Sequence, residues 1–494
     1  MFNNVTNFFN LITSRKIKSV PGNSDLIPLG TRDDRYAGKY QPSAITVDDF
    51  LASIPMPDPS INYANVVFVD RTNGDSSIAA VNKFNKPFYN YYAASLAAMS
   101  TAPTANAPAL VVLRKGVYNE NMLLRPNVHV YCEPGVVFTF GGFYDDASTV
   151  KSKVFGSACF YVNAVALTQK FASDIYMEFD EIIQEATTFY LAIGIVPNAG
   201  LTCYTHIKCN KIESNAKNAI VTTIRGNAFV TMDVSKRMAG PGKVIAIHPN
   251  APSAAFTGKV IITCPEIVCD NRPTTTSPEV KSCLFNQGSL GTVEIHGDLI
   301  NLSNNFVYSP GSSSQQSCVM SLQSGSSSVN RIFGNLYAGE TFGIYTISSF
   351  GNDFINVDVQ GNISSKSIPV CLLGHGNNVK LEGAVVKNLN NAIALPCVFA
   401  NNSNTIYAKN TTFKNYNTVS SNIIALDSAT AKGYFYNCVA FATTIGDVFL
   451  KNTSTGILGC VNVKSNTPIG ATAATAAFTP QDFTQVTGLV LPNF

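Results

Sequence analysis

A short strand-like pattern recurs along most of this chain, from Ile175 to about residue 465. Each copy alternates apolar and polar residues, reaches a small or turn-forming residue and then resumes the alternation. Examples are IYMEFDEI, THIKCNKI, VIITCPEI, INVDVQGNI and NVKLEGAVV. The turn residues of successive copies are 22 to 37 residues apart. A spacing in this range indicates structural repeats that stack on one another.

The repeat contains no helical segment, which excludes the helical solenoids, and it is shorter than the ~40 residues of a propeller blade. Coils of three short strands each fit best, with insertions at the corners accounting for the variable spacing. The sequence therefore predicts an all-β fold, a single-stranded right-handed parallel β-helix of about 11–13 coils.

Stacked coils require that equivalent residues form columns, one facing the core and the next facing outward. The residue two after each turn residue is aliphatic in most copies, although Ser235 occupies this position in the third. The predicted core ladder is Ile182, Ile212, Ile267, Leu299, Leu336, Ile363 and Val385. The residue one after the turn is mostly polar, as in Glu181, Lys211, Glu266 and Asp298, and is expected to face outward.

Four segments follow from the change in pattern along the chain. Residues 1–62 are rich in Asn, Pro, Asp and Arg and are predicted to form an extended arm. Residues 63–110 contain a strand and a helix, expected from about Pro87 to Met99, that would cap the β-helix of residues 111–465. The apolar tail, 466–494, would cover the last coil or cross to a neighbouring subunit, with covering the preferred alternative.

The segment that opens the predicted coils resembles a known family. It reads VFVDRTNGDSSIAAVNKFNKPFYNYYAASLAA followed by VVLRKGVYNENMLLRPNVHVYCEPG, and it is similar to the start of pectin-lyase-like right-handed β-helix proteins. The same segment after a Pro-rich arm is typical of bacteriophage tailspikes, tail fibres and head fibres. The resemblance covers residues 64–140 by motif. The matching residues are Asp70, Asn73, Gly74, Asp75, Lys86, Pro87, Phe88, Gly116, Tyr118 and Glu120.

This resemblance implies a structural component of a virion, assembled in the host cytoplasm. The chain would attach to other virion proteins through residues 1–62 and form a homotrimer. Its β-helix would project for adhesion to the host surface, with host polysaccharide as the ligand, or would decorate the particle.

Charge and hydropathy argue against several other partners. The formal net charge is +3 and only 13% of residues are charged, without a basic stripe for nucleic acid. No apolar run approaches the ~20 residues that span a bilayer, and the first residues do not resemble a signal peptide.

The twelve cysteines lie mostly among strand-like apolar residues. None forms a Cys-x-x-Cys pair, and no Cys/His group has zinc-ligand spacing. We therefore expect buried, reduced thiols, and we predict no metal or cofactor.

Members of the family that this chain resembles cleave polysaccharides with carboxylates on adjacent coils, with Asp-bound calcium or with an Asp-Asp-Arg set. The sequence shows no Asp-Asp-Arg column and no dense acidic cluster for calcium. Glycoside hydrolysis needs two carboxyl groups about 5–9.5 Å apart, a spacing that neighbouring coils supply. Glu266 and Asp298 are the best such pair, although a solvated polar face explains them as well and is the preferred interpretation.

The chain has no Trp, which is the strongest sugar-stacking side chain. This absence further favours an adhesion protein over an enzyme that cleaves polysaccharides. A tailspike-type polysaccharide hydrolase or lyase remains the alternative. A cellular polysaccharide-binding or esterase-like protein is the third possibility.

Overall fold

The structure is a computed structural model that describes most of the chain beyond residue 60. The described residues are 27–32, 40–45, 61–185, 191–215, 220–248, 257–270, 281–287, 291–303, 317–323, 328–347, 355–389, 394–428, 430–444, 448–452, 458–468, 470 and 483–485. The predicted arm and the predicted tail therefore lie mostly outside the described residues.

Two short strands are described within the predicted arm, β1 (Ile27–Arg32) and β2 (Tyr40–Ile45). They pair antiparallel, with Ile27 opposite Ile45 and Arg32 opposite Tyr40. Most of residues 1–62 lie outside the described residues, so the arm stays a prediction.

The chain divides into two compact units. Unit 1 comprises residues 1–118, 122–137 and 148–158, and unit 2 comprises 119–121, 138–147 and 159–494. Unit 1 contains β3 (Asn65–Val69), α1 (Tyr91–Ser100), β4 (Ala109–Leu113) and β5 (Gly116–Tyr118). Strands β6 (Asn121–Leu123), β7 (Val128–Tyr144) and β8 (Lys151–Gln169) have residues in both units.

Within unit 1, β3, β4 and the first part of β7 form a parallel ladder. Helix α1 packs against β3 and β4 and buries Tyr91, Ala94 and Ala98. The helix begins at Tyr91 and not near Pro87. Asn90 is its N-cap, and Pro87 lies in the preceding turn, where its carbonyl accepts from the backbone N–H of Asp75.

The turn after β3, which includes Asp70 and Asn73, is held by hydrogen bonds and an ion pair in unit 1. The Asp70 carboxylate accepts from the backbone N–H groups of Thr72 and Asn73, each at 2.9 Å, and pairs with Arg114 at 3.4 Å. Burial of Asp70 opposes ionisation, but the bonds from Asn73 and Thr72 outweigh it and lower the pKa of this carboxyl. Tyr118 donates its hydroxyl to the carbonyl of Arg114 at 2.8 Å.

Unit 2 is a stack of coils whose strands form three parallel sheets. Sheet I contains the first parts of β9 (Asp174–Gln184), β11 (Thr202–Ser214), β13 (Asn227–Gly240), β15 (Lys259–Cys269) and β17 (Thr292–Asn301), followed by β19 (Val329–Phe333), β22 (Asn356–Val359), β25 (Asn378–Glu382), β28 (Thr405–Lys409), β31 (Lys432–Tyr436) and β34 (Leu458–Val461).

Sheet II contains the second parts of the same five long strands, followed by shorter ones. These are β20 (Leu336–Ala338), β23 (Ile363–Ser365), β26 (Val385–Asn388), β29 (Thr412–Asn415), β32 (Val439–Ala442), β35 (Val463–Ser465) and β36 (Phe483–Gln485).

Sheet III closes each coil. Its strands are β10 (Ile193–Ile195), β12 (Ile220–Arg225), β14 (Lys243–His248), β16 (Ser282–Gln287), β18 (Cys318–Gln323), β21 (Phe342–Ile347), β24 (Val370–Leu373), β27 (Val398–Ala400), β30 (Asn422–Leu426) and β33 (Val448–Asn452). Every strand pair in the three sheets is parallel, so the predicted all-β parallel β-helix is confirmed.

The core ladder on sheet II is confirmed for six of its seven predicted residues. Ile182 pairs in register with Ile212, and Ile267 pairs with Leu299. Leu299 in turn pairs with Leu336, and Leu336 with Ile363. All six side chains are buried. Between Ile212 and Ile267 the ladder position belongs to Met238 and not to Ser235, because β13 carries a bulge between Asp233 and Arg237.

The prediction for Val385 is wrong by one residue. Ile363 pairs with Val386, which is fully buried, whereas Val385 is partly exposed. From Gly361 to the ladder residue Ile363 is two positions, but from Gly383 to Val386 is three, so the corner is one residue longer. A slip of one residue exchanges the inward and outward faces of a strand.

All twelve cysteines are among the described residues and none forms a disulfide; eleven are buried, which confirms the predicted burial. Burial raises the pKa of the thiols of Cys203 and Cys269 to about 12 in each case. Among the described residues no helix is long and apolar enough to cross a membrane.

Candidate functional site

The two predicted carboxylates lie on adjacent coils of sheet II. Glu266 on β15 pairs in register with Asp298 on β17, as the column of outward residues predicts. The carboxylate of Asp298 also accepts from the backbone N–H of Asn335 at 2.8 Å and from the Asn335 side-chain amide at 3.1 Å. Asp298 therefore has a structural role in the corner that precedes β20.

Asp298 starts a ladder of side-chain amides along this corner. The side-chain oxygen of Asn335 accepts from the backbone N–H of Asn362 at 3.0 Å, and that of Asn362 accepts from Val385 at the same distance. Each side chain thus satisfies a backbone donor of the next coil, which stabilises the turn.

On its other side Glu266 lies opposite Arg237 of β13. Two cations, Lys211 and Arg237, belong to the same row of outward residues as Glu266. Both are already paired with Glu213, at 2.8 Å and 3.6 Å respectively. The row of outward residues therefore carries charges of both signs, in the register order Glu181, Lys211, Arg237, Glu266 and Asp298.

A different surface, on sheet I, carries exposed aromatic side chains that the sequence did not single out. Tyr204 and Phe229 are register neighbours on β11 and β13, with side chains 51% and 40% exposed. Their rings are parallel within 12°, with centroids 5.3 Å apart. One strand earlier, Tyr176 and His206 stack in the same way, at 5.2 Å and 6°.

We call the surface formed by Tyr176, Tyr204, His206 and Phe229 the aromatic groove. Three of the four residues, Tyr204, His206 and Phe229, line an open cavity of about 240 Å³, together with Asp174, Thr231 and Lys259. Parallel rings whose centroids are about 5 Å apart must overlap partly face to face, in the offset geometry that aromatic pairs prefer. The register places Asp174 beside Tyr204 and Lys259 beside Phe229, while both aromatic residues stay exposed to solvent.

Polar groups border the aromatic groove. Tyr176 donates its hydroxyl to Glu178 at 2.8 Å, and Glu178 also pairs with Lys208 at 3.1 Å. His206 lies 3.6 Å from the Asp233 carboxylate. Burial and the bond to Glu178 raise the pKa of Tyr176, so its hydroxyl stays protonated.

A buried hydrogen-bond network supports the strands that carry the rings. Thr205, next to Tyr204, donates to the side chain of Gln169, whose amide donates to the Ser173 carbonyl at 2.8 Å. Ser173 donates its hydroxyl to Asp145 at 2.6 Å, and Asp145 also accepts from the Lys170 backbone N–H. The ring positions therefore rest on a satisfied polar layer, which favours a preformed site.

Aromatic rings with bordering carboxylates and amines suit a sugar, which presents an apolar C–H face and hydroxyl groups. The repeat pattern did not reveal this pair, because Tyr204 is six residues before the turn residue Asn210 whereas Phe229 is four residues before the turn residue Asp233. Among the described residues no group of three or more His, Cys, Asp and Glu side chains is arranged to hold a metal ion.

No family model, no curated protein and no solved structure matches this chain. The fold itself places the chain in the class of parallel β-helix proteins.

Proposed function

We propose that this protein is an adhesion protein of the fibre or spike type, which binds polysaccharide on sheet I without cleaving it. The aromatic groove is the observation that carries the proposal. It combines exposed, stacked rings with hydrogen-bonding groups on a rigid set of strands, and such surfaces suit sugars.

The wider biological setting of the proposal rests on the resemblance of residues 64–140 to phage fibre and spike proteins. In that setting the chain is a homotrimeric virion component that attaches through residues 1–62, and its ligand is a polysaccharide of the host surface. Sedimentation of the purified chain tests the trimer, and a chain lacking residues 1–62 that stays folded but no longer joins its particle would support the attachment role.

Binding is tested by affinity electrophoresis of the full chain through gels that contain purified bacterial capsular polysaccharides or O-antigens, with dextran as a further polymer. We expect one of the bacterial polymers to retard the wild-type chain. Replacing Tyr204 and Phe229 together by Ala should weaken that retardation about tenfold or more, because the stacking surface is lost.

Tyr337→Ala is the matched control, because Tyr337 is an exposed tyrosine on sheet II, 39% accessible, away from the groove. Retardation that is equal in the wild type and the double variant would contradict the proposal, as would equal loss in the Tyr337→Ala control.

A polysaccharide depolymerase is the second candidate, favoured by the register pairing of Glu266 with Asp298. New reducing ends or unsaturated sugars in the same incubations would reveal cleavage. If cleavage occurs and is abolished by Glu266→Gln or Asp298→Asn with folding retained, sheet II contains an active site and the non-cleaving proposal is wrong.

A further inference from the structure

A second set of exposed rings lies on sheet I near the far end of unit 2. Tyr407 on β28 and Tyr434 on β31 are register neighbours, and their rings are parallel within 8° with centroids 5.0 Å apart. Tyr436, two residues after Tyr434, is on the same face and is 42% exposed. We call these three residues the tyrosine ladder.

The tyrosine ladder continues the same row of outward residues as the aromatic groove. Starting from His206, the register reaches Tyr407 after seven coil steps, which correspond to ~34 Å at the usual strand spacing. The intervening register partners are Thr231, Ile261, Glu294, Arg331, Asp358 and Lys380.

Between the two ring sets lies a third stack on the same face. His296 on β17 and Phe333 on β19 are register neighbours with parallel rings, at 4.6 Å and 7°. His296 is also held by Glu294 at 2.8 Å. Ring stacks therefore recur along sheet I, which matches a ligand that is itself long and repetitive.

The charges beside the tyrosine ladder cancel one another. Lys380 pairs with Glu382 at 2.9 Å and lies 3.8 Å from Asp358, and Lys409 lies 3.5 Å from Glu382. Two cations thus face two anions. A phosphate backbone would require uncompensated cations, whereas a hydroxyl-rich sugar chain does not.

A glycine lies next to Tyr434 in the following coil. The register partner of Tyr434 on β34 is Gly459, which has no side chain. A Cβ atom at Gly459 would lie 3.0 Å from the Tyr434 ring, so a larger residue there would press against the ring. This position therefore adds no side chain beside Tyr434.

We propose that the tyrosine ladder is a second binding site for the same polysaccharide strand that occupies the aromatic groove, with the strand running along sheet I. The inference rests on the proposed function of the groove. Engagement of both sites by one chain raises its apparent affinity, because the second contact is intramolecular.

The test compares long chains with short fragments of the capsular polysaccharide or O-antigen that retards the wild-type protein. The short fragments are chosen to be shorter than the ~34 Å between the sites. Long chains should bind the wild type ~10²-fold more tightly than short fragments. Replacing Tyr407 and Tyr434 together by Ala should remove this difference and leave binding of short fragments to the groove unchanged within about twofold.

Gly459→Ser is a second variant, which keeps both tyrosines and places a side chain against the Tyr434 ring, so it should reduce the length dependence in the same direction. Tyr337→Ala again serves as the control and should leave the length dependence intact. Circular dichroism establishes that each variant is folded.

The outcomes separate this inference from the proposed function. If the groove variant loses short-fragment binding but the tyrosine variants keep the full length dependence, the proposed function stands and the second site is wrong. If no polysaccharide binds the wild type, both are wrong. A tyrosine variant with a lower solution mass would show that the ladder is a subunit contact, which also overturns the inference.

Discussion

At the scale of single residues, the corner of each coil that precedes sheet II decides which side chains point inward. Two glycines at this corner, Gly297 and Gly383, differ in what a side chain there would contact. Gly297 has a φ of +143°, and a Cβ atom on it would lie 1.6 Å from the carbonyl oxygen of Cys264. Gly383 has a φ of +66° with open space around it, and in the next coil Asn410 adopts a φ of +51°.

We therefore expect Gly297→Ala to lower the free energy of unfolding by roughly 3 kcal/mol or more, because a backbone atom of the neighbouring coil must move. Gly383→Ala should cost only about 1–2 kcal/mol, from the left-handed conformation alone. Gly383→Asn should be close to neutral, since Asn already occupies that conformation at Asn410. Urea denaturation followed by circular dichroism measures all three. Equal effects of the two Ala variants would contradict this account.

At the scale of elements, helix α1 is short and depends on its cap and on its packing. The side-chain oxygen of Asn90 accepts from the backbone N–H of Ala93 at 2.8 Å, which satisfies one of the donors left free at a helix start. Tyr91 is buried and donates its hydroxyl to the carbonyl of Leu123 at 3.0 Å. The cap and the packing of Tyr91 both act at the first turn.

Asn90→Ala should lower the free energy of unfolding by about 1 kcal/mol, because the cap is lost. Asn90→Ser keeps a hydroxyl oxygen that can accept the same bond, so it should retain most of the stability. Hydrogen exchange of the Ala93 amide gives a local readout and should accelerate in the Ala variant alone. Equal exchange in both variants would mean that the cap is unimportant.

At the scale of the whole molecule, two histidines make the free energy of unfolding depend on pH. His129 is buried and His248 is partly buried. His129 in unit 1 accepts or donates a hydrogen bond with the Tyr63 hydroxyl at 2.9 Å, and burial, with Lys153 and Lys151 nearby, lowers its pKa to about 4. Burial, with Lys243 and Arg225, lowers the pKa of His248 in unit 2 to about 4 as well. Each imidazole is therefore neutral in the folded chain down to a pH well below its ordinary value of 6.5.

Because the folded pKa of each histidine is depressed, the unfolded chain binds more protons between pH about 4 and 6.5. The stability from the neutral imidazoles is present above the unfolded pKa and is lost as the pH falls through this window. Each histidine should contribute a slope of up to about 1.4 kcal/mol per pH unit. His129→Gln and His248→Gln should each reduce the slope. Denaturant titrations at several pH values measure it, and an unchanged slope in the double variant would contradict the assignment.

The amino-acid sequence by itself determined the repeat, the parallel β-helix, the buried cysteines and most of the core ladder. These features depend on local patterns, since alternation of period two and regular turns decide which face of a strand is apolar. The ladder from Leu299 through Leu336 to Ile363 could be read in this way because its corners have equal length.

Only the tertiary structure decided the strand register where the corners differ in length. It alone also showed which aromatic side chains stack on the surface of sheet I. The bulge in β13 put Met238 in the core, and the longer corner after Gly383 put Val386 there in place of Val385. Two contacts likewise depend on which residues the coils bring together. These are the stacking of Tyr204 on Phe229 and the hydrogen bond from the backbone N–H of Asn335 to the Asp298 carboxylate. Contacts between coils join residues more than twenty positions apart, and one residue gained at a corner changes them all, so no local pattern specifies them.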